Sequence, residues 1–149
     1  MYWQFYLRMG LVYVPTTAMV QHGFYQIVEP IVIVPVSNSD AIKRALADTM
    51  GRGNPKVPAP DPYDRSPPVL TKYAGVKSWS TFVRNASLWG IDERENNFKI
   101  IGYRRDPPNG WTRDKALDEP FPSDTSADKV IERMIAILQE AARKSGVQK

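Results

Sequence analysis

Residues 2–9 alternate with a period of two: Trp3, Phe5, Leu7 and Met9 are set against Tyr2, Gln4, Tyr6 and Arg8. This pattern predicts a strand with one face on a core. Leu11–Val14 continues that strand or forms the next one. Phe24–Val28 and Ile31–Val36 are β-branched runs separated by Pro30, which has no N–H for a ladder and so bends the chain or marks an edge. The first 36 residues read as a β-meander.

The period then becomes helical. Behind the possible N-caps Ser37, Asn38, Ser39 and Asp40, the residues Ile42, Ala45, Leu46, Ala47 and Met50 share a face, and Gly51 and Gly53 stop the helix. Residues 54–68 carry Pro55, Pro58, Pro60, Pro62, Pro67 and Pro68, which predict an extended surface loop. Ser78 is placed to cap a second helix with Trp79, Phe82, Val83 and Ala86 on one stripe. Leu88–Ile91 and Phe98–Arg104 read as two strands joined across the polar turn Asp92–Asn97, and Pro107–Gly110 is a further turn. Thr125 and Asp128 form a capping-box-like pair ahead of Val130, Met134, Ile137, Leu138 and Ala141, with Ile131 and Ile135 widening the face and Gly146 ending that helix. These elements predict an α/β (α+β) fold over residues 1–149. It is a single domain with a mostly antiparallel twisted sheet of about five to seven strands and two to three helices packed on it. The helices over residues 40–50 and 130–142 are expected on one face.

Composition narrows the chemistry. At 149 residues, 42% of them hydrophobic, the chain buries a core without covalent staples. It has no Cys, which removes thiol nucleophiles, CxxC redox motifs, thiolate zinc and iron–sulfur clusters. A single His, His22, rules out multi-His metal sites and leaves one imidazole for any triad. Its Gln21-His22-Gly23 setting reads as a turn, so a hydrolase built on His22 and a loop carboxylate such as Asp61 or Asp64 ranks last. Gly51-Arg52-Gly53 follows a helix rather than a strand, the wrong context for a phosphate loop. No cofactor is expected. Residues 1–10 lack a basic n-region and no stretch reaches membrane-spanning length, so a cytoplasmic protein without a membrane partner is expected.

The charge balance is +4, and one segment concentrates cations among aromatics: Lys99, Tyr103, Arg104, Arg105, Trp111, Arg113 and Lys115. Asp92, Glu93 and Glu95 stand before it and Asp114, Asp118, Glu119 and Asp124 behind it. Interleaved cations and rings suit bases and phosphates, which makes a single-stranded nucleic-acid binder the alternative reading. Mixed charge with Trp, Tyr and Arg anchors suits a protein partner better.

The run Lys77-Ser78-Trp79-Ser80-Thr81-Phe82-Val83-Arg84-Asn85-Ala86 is followed by a hairpin, a turn with Gly110-Trp111 and a helix opening after Pro122-Ser123. Over residues 73–145 this resembles the immunity proteins of bacterial contact-dependent growth inhibition systems. The resemblance implies a cytoplasmic, non-catalytic protein, a monomer or weak dimer. It would bind the cognate toxin domain of an exported bacterial protein, often a nuclease, and occlude the toxin's active site. Its toxin-binding residues are expected among Asp92, Glu93, Glu95, Tyr103, Arg104, Arg105, Trp111 and Arg113, with the loop 54–68. The positive balance departs from the acidic surfaces with which inhibitors of basic nucleases steer.

Overall fold

The computed structural model describes residues 1–106 and 110–145, apart from the His22 side chain. The expected turn over residues 107–109 and the Gly146 helix stop lie outside the described residues, as does any role of the His22 imidazole.

The β-meander forms as read: β1 (Tyr2–Arg8), β2 (Leu11–Met19) and β3 (Tyr25–Pro35) pair in antiparallel fashion. Met9 and Gly10, both at positive φ, make the tight connection between β1 and β2. The structure differs in that Pro30 does not split the third strand. Glu29 and Pro30 sit between the pairs Pro15↔Ile31 and Thr16↔Val28, in a local irregularity of an edge strand, where a missing N–H is tolerated. β2 likewise runs past Pro15 to Met19, beyond the expected Val14.

After α1 (Ser39–Arg52) and the proline-rich segment comes α2 (Val69–Ala74), a six-residue helix absent from the sequence reading. α3 (Trp79–Arg84) is capped by Ser78, whose Oγ accepts from the Thr81 N–H at 3.2 Å. It stops short of Ala86, which opens β4 (Ala86–Arg94) instead of continuing the helical stripe. β5 (Asn97–Asp106) follows a two-residue turn, Glu95-Asn96, with φ of 52° and 65°. The six-residue turn expected at Asp92–Asn97 is therefore mostly strand. β6 (Gly110–Arg113) and β7 (Glu119–Pro120) share the outer edge of β5, and α4 (Ala127–Lys144) closes the chain. The α4 cap is Ser126, which accepts from the Lys129 N–H at 3.3 Å. The expected cap, Thr125, donates instead to the Pro122 carbonyl at 2.6 Å.

The seven strands form one sheet in the order β3-β2-β1-β4-β5-β6, with β7 on β5 and every pairing antiparallel. One face carries Trp3, Phe5, Leu7, Val12, Val14, Ile91 and Ile100 and is covered by α1 and α4, as the periodicity predicts. The other face has its own core of Tyr6, Tyr13, Ile31, Leu88 and Ala86 under Leu70 of α2 and Phe82 of α3. Among the described residues four helices cover the sheet in two layers, within the single α+β domain and antiparallel sheet that the sequence predicts.

Candidate binding face

The α2–α3 layer covers only part of its face, and the remainder is a floor of polar and aromatic side chains. Alternation along β1 sends Tyr2, Gln4, Tyr6 and Arg8 to this side. Their hydroxyl and amide groups form a chain: Tyr6 donates to Gln4 Oε1 at 3.3 Å and Gln4 Nε2 donates to Tyr2 Oη at 3.2 Å. Tyr2 and Tyr103 share a further hydrogen bond between their hydroxyls. To reach Tyr103 the Tyr2 ring lies flat over Gly90, where a Cβ would stand 2.5 Å from Tyr2 Cε1. A glycine is required there by close approach. Burial, then Tyr103, pushes the Tyr2 hydroxyl far above its ordinary value, and burial does the same to Tyr6. Both stay protonated and act as hydrogen-bonding groups rather than bases.

Beside this chain is a pocket of about 380 Å³ lined by Tyr2, Tyr25, Asp92, Lys99, Tyr103 and Arg113, with Arg94 at its mouth. Three of the expected binding residues, Asp92, Tyr103 and Arg113, therefore meet in one cavity. Asp92 pairs with Arg94 at 3.2 Å. Arg113 pairs with Asp118 at 2.7 Å, and Lys99 lies 4.0 Å from the same carboxylate. Asp118 also accepts from the Gly102 N–H at 3.1 Å. Burial alone would raise the Asp118 carboxyl. The Arg113 hydrogen bond, the Gly102 N–H and the two cations outweigh it and hold the carboxyl below its ordinary value.

A second, larger groove of about 980 Å³ runs between β3 and the proline-rich segment, with Tyr25 on its boundary with the first. Glu29, Asp61 and Asp64 line it together with Ile27, Val69 and Trp79. The segment that roofs it is anchored at its start, since Asn54 bonds to the backbones of Tyr2 and Thr17, and the Met19 backbone exchanges bonds with Pro55 and Val57.

The other expected residues fall elsewhere. Glu93 and Glu95 lie at the β4–β5 tip, about 20–25 Å along β5 from Arg104 and Arg105 by strand rise. Alternation directs Arg104 to the face opposite Tyr103. The Trp111 ring packs against Tyr6 and Trp79, with centroids at 5.5 and 5.8 Å, and its Nε1 donates to the Ala86 carbonyl at 3.2 Å. It is half-buried and packs against the second core. Among the described residues no group of His, Cys, Asp or Glu converges to hold a metal ion, and no helix is long and apolar enough to cross a membrane. Sequence reasoning missed Tyr2, Gln4 and Tyr25, because cross-strand register decides which polar positions meet.

The fold has counterparts among solved structures. A protein of unknown function from Neisseria meningitidis superposes with a TM-score of 0.66 at 13% identity, covering 94% of this chain and 93% of that one. A chain of the CdiA-CT/CdiI toxin and immunity complex from Yersinia pseudotuberculosis gives a TM-score of 0.62 at 13% identity, covering 92% and 95%. No family model and no curated protein matches the sequence. At this identity the likeness establishes a shared overall fold and nothing further.

Proposed function

We propose that this protein is an immunity protein, which neutralises a toxin domain of an exported bacterial protein by binding it one-to-one and occluding its active site. The observation that carries the reading is the fold held in common, over 92% of the chain, with a chain of a toxin and immunity complex. The partly covered face supports it. That face offers an acidic groove and a mixed-charge pocket side by side, bordered by rigid tyrosines, which is the anatomy of a protein interface with charged register groups around aromatic anchors. The toxin is a nuclease in this proposal, the acidic groove of Glu29, Asp61 and Asp64 meeting basic groups that otherwise hold nucleic acid.

The test is co-expression with the C-terminal domain of the large exported protein encoded beside this chain, followed by size-exclusion chromatography and titration at two salt concentrations. A one-to-one complex of nanomolar or tighter affinity is expected. Lys99→Glu, which reverses a charge lining the pocket, should weaken it at least tenfold by breaking the local register of charges. Arg44→Glu, exposed on α1 in the opposite layer, should leave it unchanged. Absence of a complex, together with salt-sensitive retention of oligonucleotides, would reject the proposal in favour of nucleic-acid binding.

A further inference from the structure

One cation in the structure has no explanation in packing. Arg8 is 8% exposed, and its Nε is enclosed with no hydrogen-bond partner. Its guanidinium carbon stands 5.7 Å from the centre of the Phe82 ring. The ion pairs among the described residues engage Arg94, Lys99, Arg113, Arg133 and Arg143, and none engages Arg8. A buried charge without a counter-charge costs stability, and an apolar side chain of similar reach would fill the same space without that cost. The cation–π contact with Phe82 offsets part of that cost but gives Nε no hydrogen-bond partner.

The cross-strand register shows what surrounds it. Arg8 is opposite Leu11 on β2 and opposite Ala86 on β4. Arg105 of β5 comes in from the other side and donates through Nε to the Ala86 carbonyl at 3.2 Å. By alternation Arg8, Ala86 and Arg105 share a face, which places the backbones of the two arginines about 10 Å apart across two strand spacings, with the Trp111 indole also bonded to the Ala86 carbonyl. α3 ends at Arg84, two residues before Ala86, and that side chain is exposed. Neither Arg84 nor Arg105 has a carboxylate within ion-pairing distance among the described residues. Arg8 and Arg105 thus share one corner of the sheet, neither in an ion pair among the described residues, with the exposed Arg84 two residues before Ala86 in the chain. A guanidinium presents paired donors to a carboxylate.

We propose that Arg8, with Arg105 on the same face, is the receptor for an Asp or Glu side chain of the partner protein, whose carboxylate pairs with the part of the guanidinium left exposed, Nε itself being enclosed. The proposal rests on the immunity reading, and it gives the positive balance of the chain a use: this corner meets an acidic patch on the toxin domain, away from the toxin's basic active site.

The experiment compares wild type with Arg8→Met and Arg8→Lys, measuring thermal midpoint and toxin-domain affinity together. Arg8→Met should keep or raise the thermal midpoint, because it removes an uncompensated buried charge, and should weaken binding at least tenfold. Arg8→Lys, which keeps charge but loses the planar fork, should fall between. Wild-type affinity in Arg8→Met, or a lowered midpoint that accounts for the lost binding, would overturn the proposal while leaving the immunity reading intact. If wild type itself forms no complex, the immunity reading fails, and a hexaglutamate peptide at low ionic strength decides the receptor. A rise in the wild-type midpoint that is absent in Arg8→Met would uphold a carboxylate site, and no rise would overturn it.

Discussion

Asn54 shows how much one side chain carries in this structure. The pairing of β1 with β2 extends only from Arg8↔Leu11 to Tyr6↔Tyr13, and beyond it the Asn54 carboxamide enters between the strands. Its Oδ1 accepts from the Tyr2 N–H at 3.0 Å, while Nδ2 donates to the carbonyls of Tyr2 at 2.7 Å and Thr17 at 2.9 Å. The side chain stands in for a strand residue and ties the base of the proline-rich segment to the sheet. At a net value of about 1 kcal/mol per hydrogen bond, Asn54→Ala should lower unfolding free energy by about 2–3 kcal/mol, read from the urea midpoint at unchanged slope. In the sequence Asn54 is merely the first residue of a loop. The same holds for the tyrosines: alternation placed Tyr2 and Tyr6 on one side of β1, but their link to Tyr103 depends on a register and on Gly90, which no spacing along the chain reveals.

At the scale of elements, the long periodic segments were legible and the short ones were not. α4, with Val130, Ile131, Met134, Leu138 and Ala142 all at 2% exposure or less, announces itself by more than three turns of repeating apolar positions. α2 has six residues behind Pro67-Pro68, too few for a period to emerge. The β4–β5 turn was overextended because Glu93 and Arg94 read as loop residues, although charge is tolerated on the outer end of a strand. Two acidic groups fasten the last elements to the sheet: Asp118 through Arg113, and Glu119 through a two-pronged contact with Arg133 of α4 at 2.7 and 2.8 Å. The Arg133 hydrogen bond outweighs burial and holds Glu119 below its ordinary value, as Arg113 does for Asp118. A carboxyl depressed in the native state contributes stability fully above its unfolded value of about 4, and that contribution is lost as pH falls through the native value. Stability measured by urea unfolding should therefore decline on acidification from about pH 5. Asp118→Asn should reduce stability near neutrality and flatten that decline, and an unaltered acid profile would remove Asp118 from the account.

For the whole molecule, the two faces of the sheet divide the labour. The α1–α4 side is a sealed apolar core, while the α2–α3 side mixes aromatic packing with open polar space. Leu138→Ala should cost about 2–5 kcal/mol by leaving a cavity in the sealed layer, without changing partner affinity once folding is corrected for. That separation of stability from binding is checked by denaturation and titration on the same preparation. Fold class and the placement of α1 and α4 followed from periodicity; the candidate site followed only in part. Asp92, Tyr103 and Arg113 meet in one pocket, but Glu95 and Arg105 stand at opposite ends of β5, because proximity in sequence becomes distance along an extended strand. The strand order has a further consequence, for the timing of folding. β1 lies at the centre of the sheet and pairs Tyr2 with Asp92, so the first strand made must wait for some ninety residues to be synthesised before its second neighbour exists. Until then the nascent meander holds β1 as an open edge, and closure of that long loop is the step that commits the chain to its native topology.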